Sequence, residues 1–201
     1  LGVVMSDAET TDIEQELKHY PTLTFNLVRM VNSAASGLPH KIGSLKQVIV
    51  VLGRKQLQRW VQLLLYTAGR TDSQMMNALM QTAATRGKLM ELIATVERPH
   101  DKQYHERAFM TGILSLLDTL LGIPLPEIVT QINLADEVRL ALLSRQGNLG
   151  RLLLLLEEKE RNDIEAVSIM LAEMGFMGMS ELITAELDAV RWANGLNEAR
   201  H

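Results

Sequence analysis

The chain has 201 residues, 47% hydrophobic but only 4% aromatic, so its core must be aliphatic, built mainly on leucine, alanine, valine and methionine. A formal net charge of -4 offers no overall attraction for a polyanion, which argues against a dedicated nucleic-acid module. Cysteine is absent, so disulfides, zinc–thiolate sites and cysteine nucleophiles are excluded.

Residues 1–8, opening Leu1-Gly2-Val3-Val4-Met5, read as a linker or the start of a fragment of something longer. Thr11 with Glu14 has capping-box spacing and opens a short helix carrying Ile13 and Leu17, which closes at Tyr20-Pro21. Leu23, Leu27, Met30 and Val31 repeat at three- and four-residue steps, the stripe of an amphipathic helix ending near Ala35. Gly37, Pro39 and Gly43 then interrupt the helical pattern, and Ser44 with Gln47 forms a second capping box before a run to Leu52. Another run starts at Gly53 without a polar linker and continues through Leu57, Val61, Leu64, Leu65 and Ala68.

A helix is expected from about Asp72 to Ala94. The charged loop Glu97-Arg98-Pro99-His100-Asp101 after it is the best candidate boundary. One long helix from Lys102 to Leu121 should end at the Gly122-Ile123-Pro124 break. Asp136 to Arg145 forms the next, followed by a Gln146-Gly147-Asn148 turn. Leu149 to Glu160 carries five successive leucines and belongs at the bundle centre. Asn162 with Glu165 caps a helix closing at Gly175, and Ser180 to Asn194 forms the last. No alternating strand pattern occurs. The fold class is therefore all-α, a compact multi-helix bundle over residues 9–201, with signature helices in about 9–70 and a helical remainder in 72–201.

The residues carry little that looks catalytic. Asp101 stands where a helix N-cap is expected and His100 reads as solvated; His105 and Glu106 lie close by, but two or three ligands on one exposed turn would hold a metal weakly. His19, His40 and His201 are scattered. Ser33, Ser36 and Ser44 sit near turns without a strand–turn–helix elbow, and Asn32 with Ser33 reads as an end-capping pair. Glu157, Glu158 and Glu160 beside Lys159 and Arg161 read as a solvated charged face. Arg54, Lys55 and Arg59 with Trp60 are too small a set for a nucleic-acid footprint and fit a protein-docking face better. Two methionine groups, Met75, Met76, Met80 and Met90, then Met170, Met174, Met177 and Met179, suit irregular packing or an adaptable contact surface.

A family resemblance runs through the same residues. The series Val31-Asn32-Ser33-Ala34, Ile42-Gly43-Ser44-Leu45 and Val51-Leu52-Gly53, followed by a basic helix with Trp60, resembles the HDOD domain, an all-helical relative of the HD phosphohydrolases. Phe109 to Asp118, Leu140 to Leu143 and Gly147 to Gly150 are similar to the variant carried behind EAL domains. An HD hydrolase gathers histidines and aspartates around one or two metals to acidify an attacking water. The matching stretch Gly112 to Leu116 has Ser115 and Leu116 where that pair would stand, so the resemblance implies that the metal chemistry is lost.

The expected function is thus a non-enzymatic regulatory module, without cofactor or metal, in bacterial cyclic-diguanylate signalling. It would act through a protein partner or a homodimer, with an EAL domain upstream. Asn32, Ser33, Gly43, Ser44, Gly53, Arg54, Lys55, Arg59 and Trp60 form its candidate interaction signature. No nucleic acid or membrane is expected as partner, since apolar runs such as Leu152 to Leu156 fall far below the ~18 residues of a membrane span, and the cytoplasm is the default compartment. The alternatives are a metal-dependent HD-type phosphohydrolase and, behind it, a nucleic-acid adaptor using Arg54 to Arg59.

Overall fold

The computed structural model describes residues 9–34, 42–53, 57, 74–130 and 134–198. Among these every regular element is helical, and the β contact is an isolated parallel bridge between Ile42 and Leu134. In chain order the helices are α1 (Thr10–Lys18), α2 (Pro21–Ala34), α3 (Leu45–Leu52), α4 (Gln74–Glu97), α5 (Lys102–Leu114) and α6 (Leu117–Leu121). They continue with α7 (Leu125–Thr130), α8 (Asp136–Ser144), α9 (Gly147–Glu160), α10 (Ile164–Met174) and α11 (Met179–Glu198).

The expected capping box at Thr11 and Glu14 does not form. Helix α1 is capped two residues earlier, at Glu9, whose carbonyl accepts from Asp12 and Ile13 N–H (3.0 and 3.1 Å) without a side-chain cap. Glu14 is buried instead, turned towards Lys18. The α1–α2 corner is tight because Pro21 opens α2, where its missing N–H costs nothing, and the Thr24 hydroxyl donates to the Leu17 carbonyl at 3.1 Å. At α3 the serine cap is as expected, with Ser44 Oγ accepting from Gln47 N–H at 3.3 Å.

Helix α4, 24 residues long, is the central strut and packs against both α5 and α11. Helices α4 and α5 approach closely at two glycines. A Cβ on Gly112 would lie 2.6 Å from the Gly87 Cα and 2.7 Å from the Arg86 carbonyl oxygen, so only hydrogen fits there. The single helix expected from Lys102 to Leu121 is in fact two. It breaks at Ser115, whose Oγ donates to the Gly112 carbonyl at 2.7 Å and bends the chain into α6.

Helix α9 begins at Gly147 rather than Leu149, because Arg145 already turns the chain in a left-handed conformation (φ 56°). That turn is held by the Arg145 guanidinium on Glu157 (2.6 to 3.1 Å) and on the Leu142 carbonyl. Leu149, Leu152, Leu153, Leu155 and Leu156 are buried, so the leucine run is central as expected. Asp163, not Asn162, caps α10. Its carboxylate accepts from Ala166 N–H at 2.9 Å, while Asn162 takes a positive φ of 59°.

The core is almost wholly aliphatic. Met90 and Met177 lie within it, while Met80, Met170, Met174 and Met179 pack partly buried against it. Trp192 ties α11 to the rest. His19 lies against its ring with centroids 4.3 Å apart, Phe109 meets it edge-on at 6.2 Å, and Lys88 stands 5.6 Å over it. Burial pushes the His19 imidazole pKa below its ordinary value, so the stacked ring is neutral near pH 7.

Candidate functional site

Two places come from the sequence signature, and the first is the corner at Ile42 to Leu45. The Ile42 carbonyl accepts from Ala135 N–H at 2.8 Å, which fastens the corner to the segment before α8. Gln47 folds back so that its Oε1 accepts from Gly43 N–H at 2.7 Å, one residue earlier than the reciprocal bond of a capping box. Gly43 packs on the Arg107 side chain of α5, and Arg107 reaches Glu137 of α8 at 3.2 Å. Ser44 and Gly43 are therefore buried structural joints. The outer side of α3 is different, since Val50 and Val51 are exposed.

Asn32 and Ser33 occupy the last turn of α2. Gly53 ends α3 with φ 69° and ψ 156°, a backbone state that side chains other than glycine's rarely adopt. Arg54, Lys55, Arg59 and Trp60 lie outside the described residues, although Leu57 between them is fully buried. The contrast between the two glycines gives a test. Gly53→Ala is expected to lose about 1–2 kcal/mol through backbone strain. Gly43→Ala, whose Cβ would find only ordinary contacts at 3.4 and 3.5 Å, should stay within about 0.5 kcal/mol of the parent in urea unfolding.

The second place is the stretch aligned with the hydrolase pair. Ser115 is buried, and its hydroxyl accepts from Arg86 Nη1 at 2.8 Å. The same guanidinium grips Glu160 in fork fashion, with Nε at 3.0 Å from Oε1 and Nη2 on Oε2. Arg86 is only 7% exposed, so a permanent cation is locked beside the position where the hydrolase pattern would put ligands. Divalent metal and guanidinium compete for the same negative surroundings. The solvated-face reading fails for Glu157, mostly buried against Arg145, while Glu160 stays 45% exposed although it also answers the buried Arg86.

The literal His100-Asp101 pair has a structural role. Asp101 accepts from Tyr104 N–H at 3.0 Å as an N-cap, and His100 is exposed. His105 spends its Nε2 on the Arg98 carbonyl at 2.7 Å. Tyr104 is buried and donates to Glu97 at 2.6 Å. Burial, then the Glu97 contact, push its pKa up, so it stays a phenol. Among the described residues no three histidine, aspartate or glutamate side chains converge as metal ligands would.

A buried ion cluster joins α1 to α4, and sequence reading passed over it. Lys18 is 3% exposed, 2.5 Å from Glu91 and 3.9 Å from Glu14, with its ammonium 4.6 Å over the Phe109 ring. Lys88 reaches the second Glu91 oxygen at 2.9 Å. Two clefts remain. One of about 550 Å³ lies at the α10–α11 corner between Leu171, Phe176, Met177 and Met179, and one of about 260 Å³ lies between Arg98, Tyr104, Glu137 and the start of α9.

Among the described residues the regular elements are all helical, as in the HD-like domains, a class in which the expected degenerate centre would hold Ser115 on the locked Arg86. The chain belongs to the HDOD domain family, whose pattern matches residues 2–139. It is 31% identical over 197 residues to the cyclic di-GMP phosphodiesterase CdgJ of Vibrio cholerae, covering 97% of this chain and 44% of that protein. It is also 31% identical over 194 residues to the uncharacterized protein YuxH of Bacillus subtilis, covering 95% of this chain and again 44% of the relative. The chain thus spans less than half the length of these relatives. No solved structure matches it. No single helix among the described residues is long and apolar enough to cross a membrane.

Proposed function

We propose that this HDOD domain is a non-enzymatic regulatory module of cyclic-diguanylate signalling that works through protein–protein contact. The observation that carries the reading is the Arg86–Ser115–Glu160 lock, which fills with a fixed cation the place where a hydrolase would need ligands. The likeness to CdgJ supports the signalling context. In this reading the diesterase activity in that relative's name belongs to sequence outside the part this chain resembles, and an EAL domain upstream is the candidate for it.

Residues 9–201 act as one module in this proposal. Its contact surface is the outer side of α3, with the exposed Val50 and Val51, and the basic set Arg54, Lys55 and Arg59 next in the sequence is the other candidate for contact. Buried Gly43 and Ser44 hold that surface at a fixed angle.

The test is turnover. The purified chain, given cyclic di-GMP and simple phosphodiesters with added manganese or nickel, is expected to hydrolyse none of them above the metal-only background. Metal-dependent turnover that vanishes in a Ser115→Ala or Glu160→Gln variant would replace the regulatory reading with an enzymatic one.

A further inference from the structure

The buried side of α11 is thin, built on Leu182, Ala189 and Ala193, and it packs mainly on α4. Its large anchor is Trp192, which extends to Phe109 of α5 and to His19 at the end of α1. His19 is the C-cap of α1, with its N–H donating to the Glu16 carbonyl at 3.2 Å. The ring is half-buried, and its Nδ1 is enclosed without a hydrogen-bond partner. A neutral imidazole can leave that nitrogen as an unused acceptor at small cost. An imidazolium cannot, because both ring nitrogens then carry N–H groups that need acceptors.

We infer that His19 is an acid-operated latch: neutral, it holds α11 to α1 through Trp192, and protonated, it lets the last helix detach. The groups around the ring compete over that proton. From α1, Glu16 favours the imidazolium and Lys18 opposes it, and from α4, Lys88 opposes it. Glu91 of α4 is occupied by both lysines, at 2.5 and 2.9 Å. The carbonyl end of α1 favours a cation weakly. From α11 comes the indole, whose face attracts a cation, but Lys88 already stands 5.6 Å over it. None of these supplies an acceptor to the enclosed Nδ1.

Burial therefore leads, and it holds the imidazole below its ordinary pKa of 6.5. A histidine lowered in the closed form gives stability that is complete above that ordinary value and is lost as pH falls through the folded one. Opening would uncover Gln81 and Lys88 on α4, which now meet Asn194 and Trp192, and so change the face offered to a partner.

Hydrogen exchange of the α11 amides at about pH 7.5 and about pH 5, corrected for the intrinsic pH dependence of exchange, tests the latch. Protection of α11 is expected to fall severalfold on acidification relative to α5. His19→Phe, which keeps a ring for Trp192 but takes no proton, should abolish that loss, and His19→Gln should do so even if its starting protection is lower. Glu14 and Glu91 titrate alike in all three proteins, so the comparison cancels them. In a proton NMR titration, His19 should titrate below the exposed His100. His19 titrating at or above His100, or an equal acid loss of protection in the parent and both variants, overturns the latch. Neither result bears on turnover, which alone decides the regulatory reading.

Discussion

Gly112→Ala is expected to be among the most destabilising single-methyl additions in this chain. The new Cβ would fall 2.6 Å from the Gly87 Cα and 2.7 Å from the Arg86 carbonyl, both backbone atoms that no rotamer change can move. Relief requires α4 and α5 to separate along the most extensive helix–helix interface among the described residues. The cost should reach or exceed the upper end of the ~1–3 kcal/mol usual for overpacking. At ~2–4 °C per kcal/mol for a chain of this size, Tm should fall by about 6–12 °C. Gly87→Ala should cost less, since its closest contact is the Ile113 side chain at 2.8 Å, which can shift. Thermal melts of both variants check the order. Equal melting points would mean that the two helices do not cross so closely.

Lys18→Met should be comparably severe for an electrostatic reason. The methionine fills the lysine's volume but leaves Glu91 and Glu14 buried without their shared cation. Removing one member of a buried pair typically costs about 3–5 kcal/mol. The acid profile carries the finer signature. Burial works against the Glu91 carboxylate, but Lys18 and Lys88 outweigh it and hold its pKa below the usual carboxylate range. A carboxylate depressed in the fold gives stability above its unfolded pKa and loses it as pH falls through the folded value, so the parent should weaken below about pH 4.5.

Glu14 has the opposite sign. Burial raises its pKa more than Lys18 lowers it, because the ammonium sits on Glu91. Its protonated form therefore favours folding below the unfolded value, and that gain is lost as pH rises through the folded one. In Lys18→Met Glu14 loses its main counter-charge and Glu91 keeps only Lys88, so both carboxylates should be protonated more readily than in the parent. The variant should then recover stability between pH 7 and 5, where the parent shows no such gain from Glu91. Urea midpoints across that range decide the matter. A variant as stable as the parent at pH 7, with the same acid profile, would contradict the cluster's role.

What was legible in the sequence followed the local rules. Apolar periodicity gave the helices, the Ser44 cap and the Gly175 stop, because each is decided by residues within one turn. Asp101 as an N-cap was legible for the same reason. The break at Ser115 was not, since its hydroxyl turns back onto the Gly112 carbonyl while Arg86, 29 residues earlier in the chain, holds it from α4. Among the acids of α9, Glu160 is exposed as its charged neighbours suggest, and only the fold shows that it also holds Arg86 of α4, while Glu157 is drawn in by Arg145. A faint signal existed, because Arg86 is the one charge among the small residues Ala83, Ala84, Thr85 and Gly87, where a helix packed on both sides would not place a free cation. Lys18 and Trp192 gave no such sign, and only the docking of α11 and α4 on α1 reveals them.

Metal content bears most directly on the account, in which an ancestral hydrolase shape persists with a guanidinium where an ion would sit. Elemental analysis of the purified chain, followed by calorimetric titration with manganese, is expected to find no stoichiometric transition metal before or after loading. A tightly held ion displaced on Ser115→Ala, or one whose binding releases Arg86 from Glu160, would contradict it.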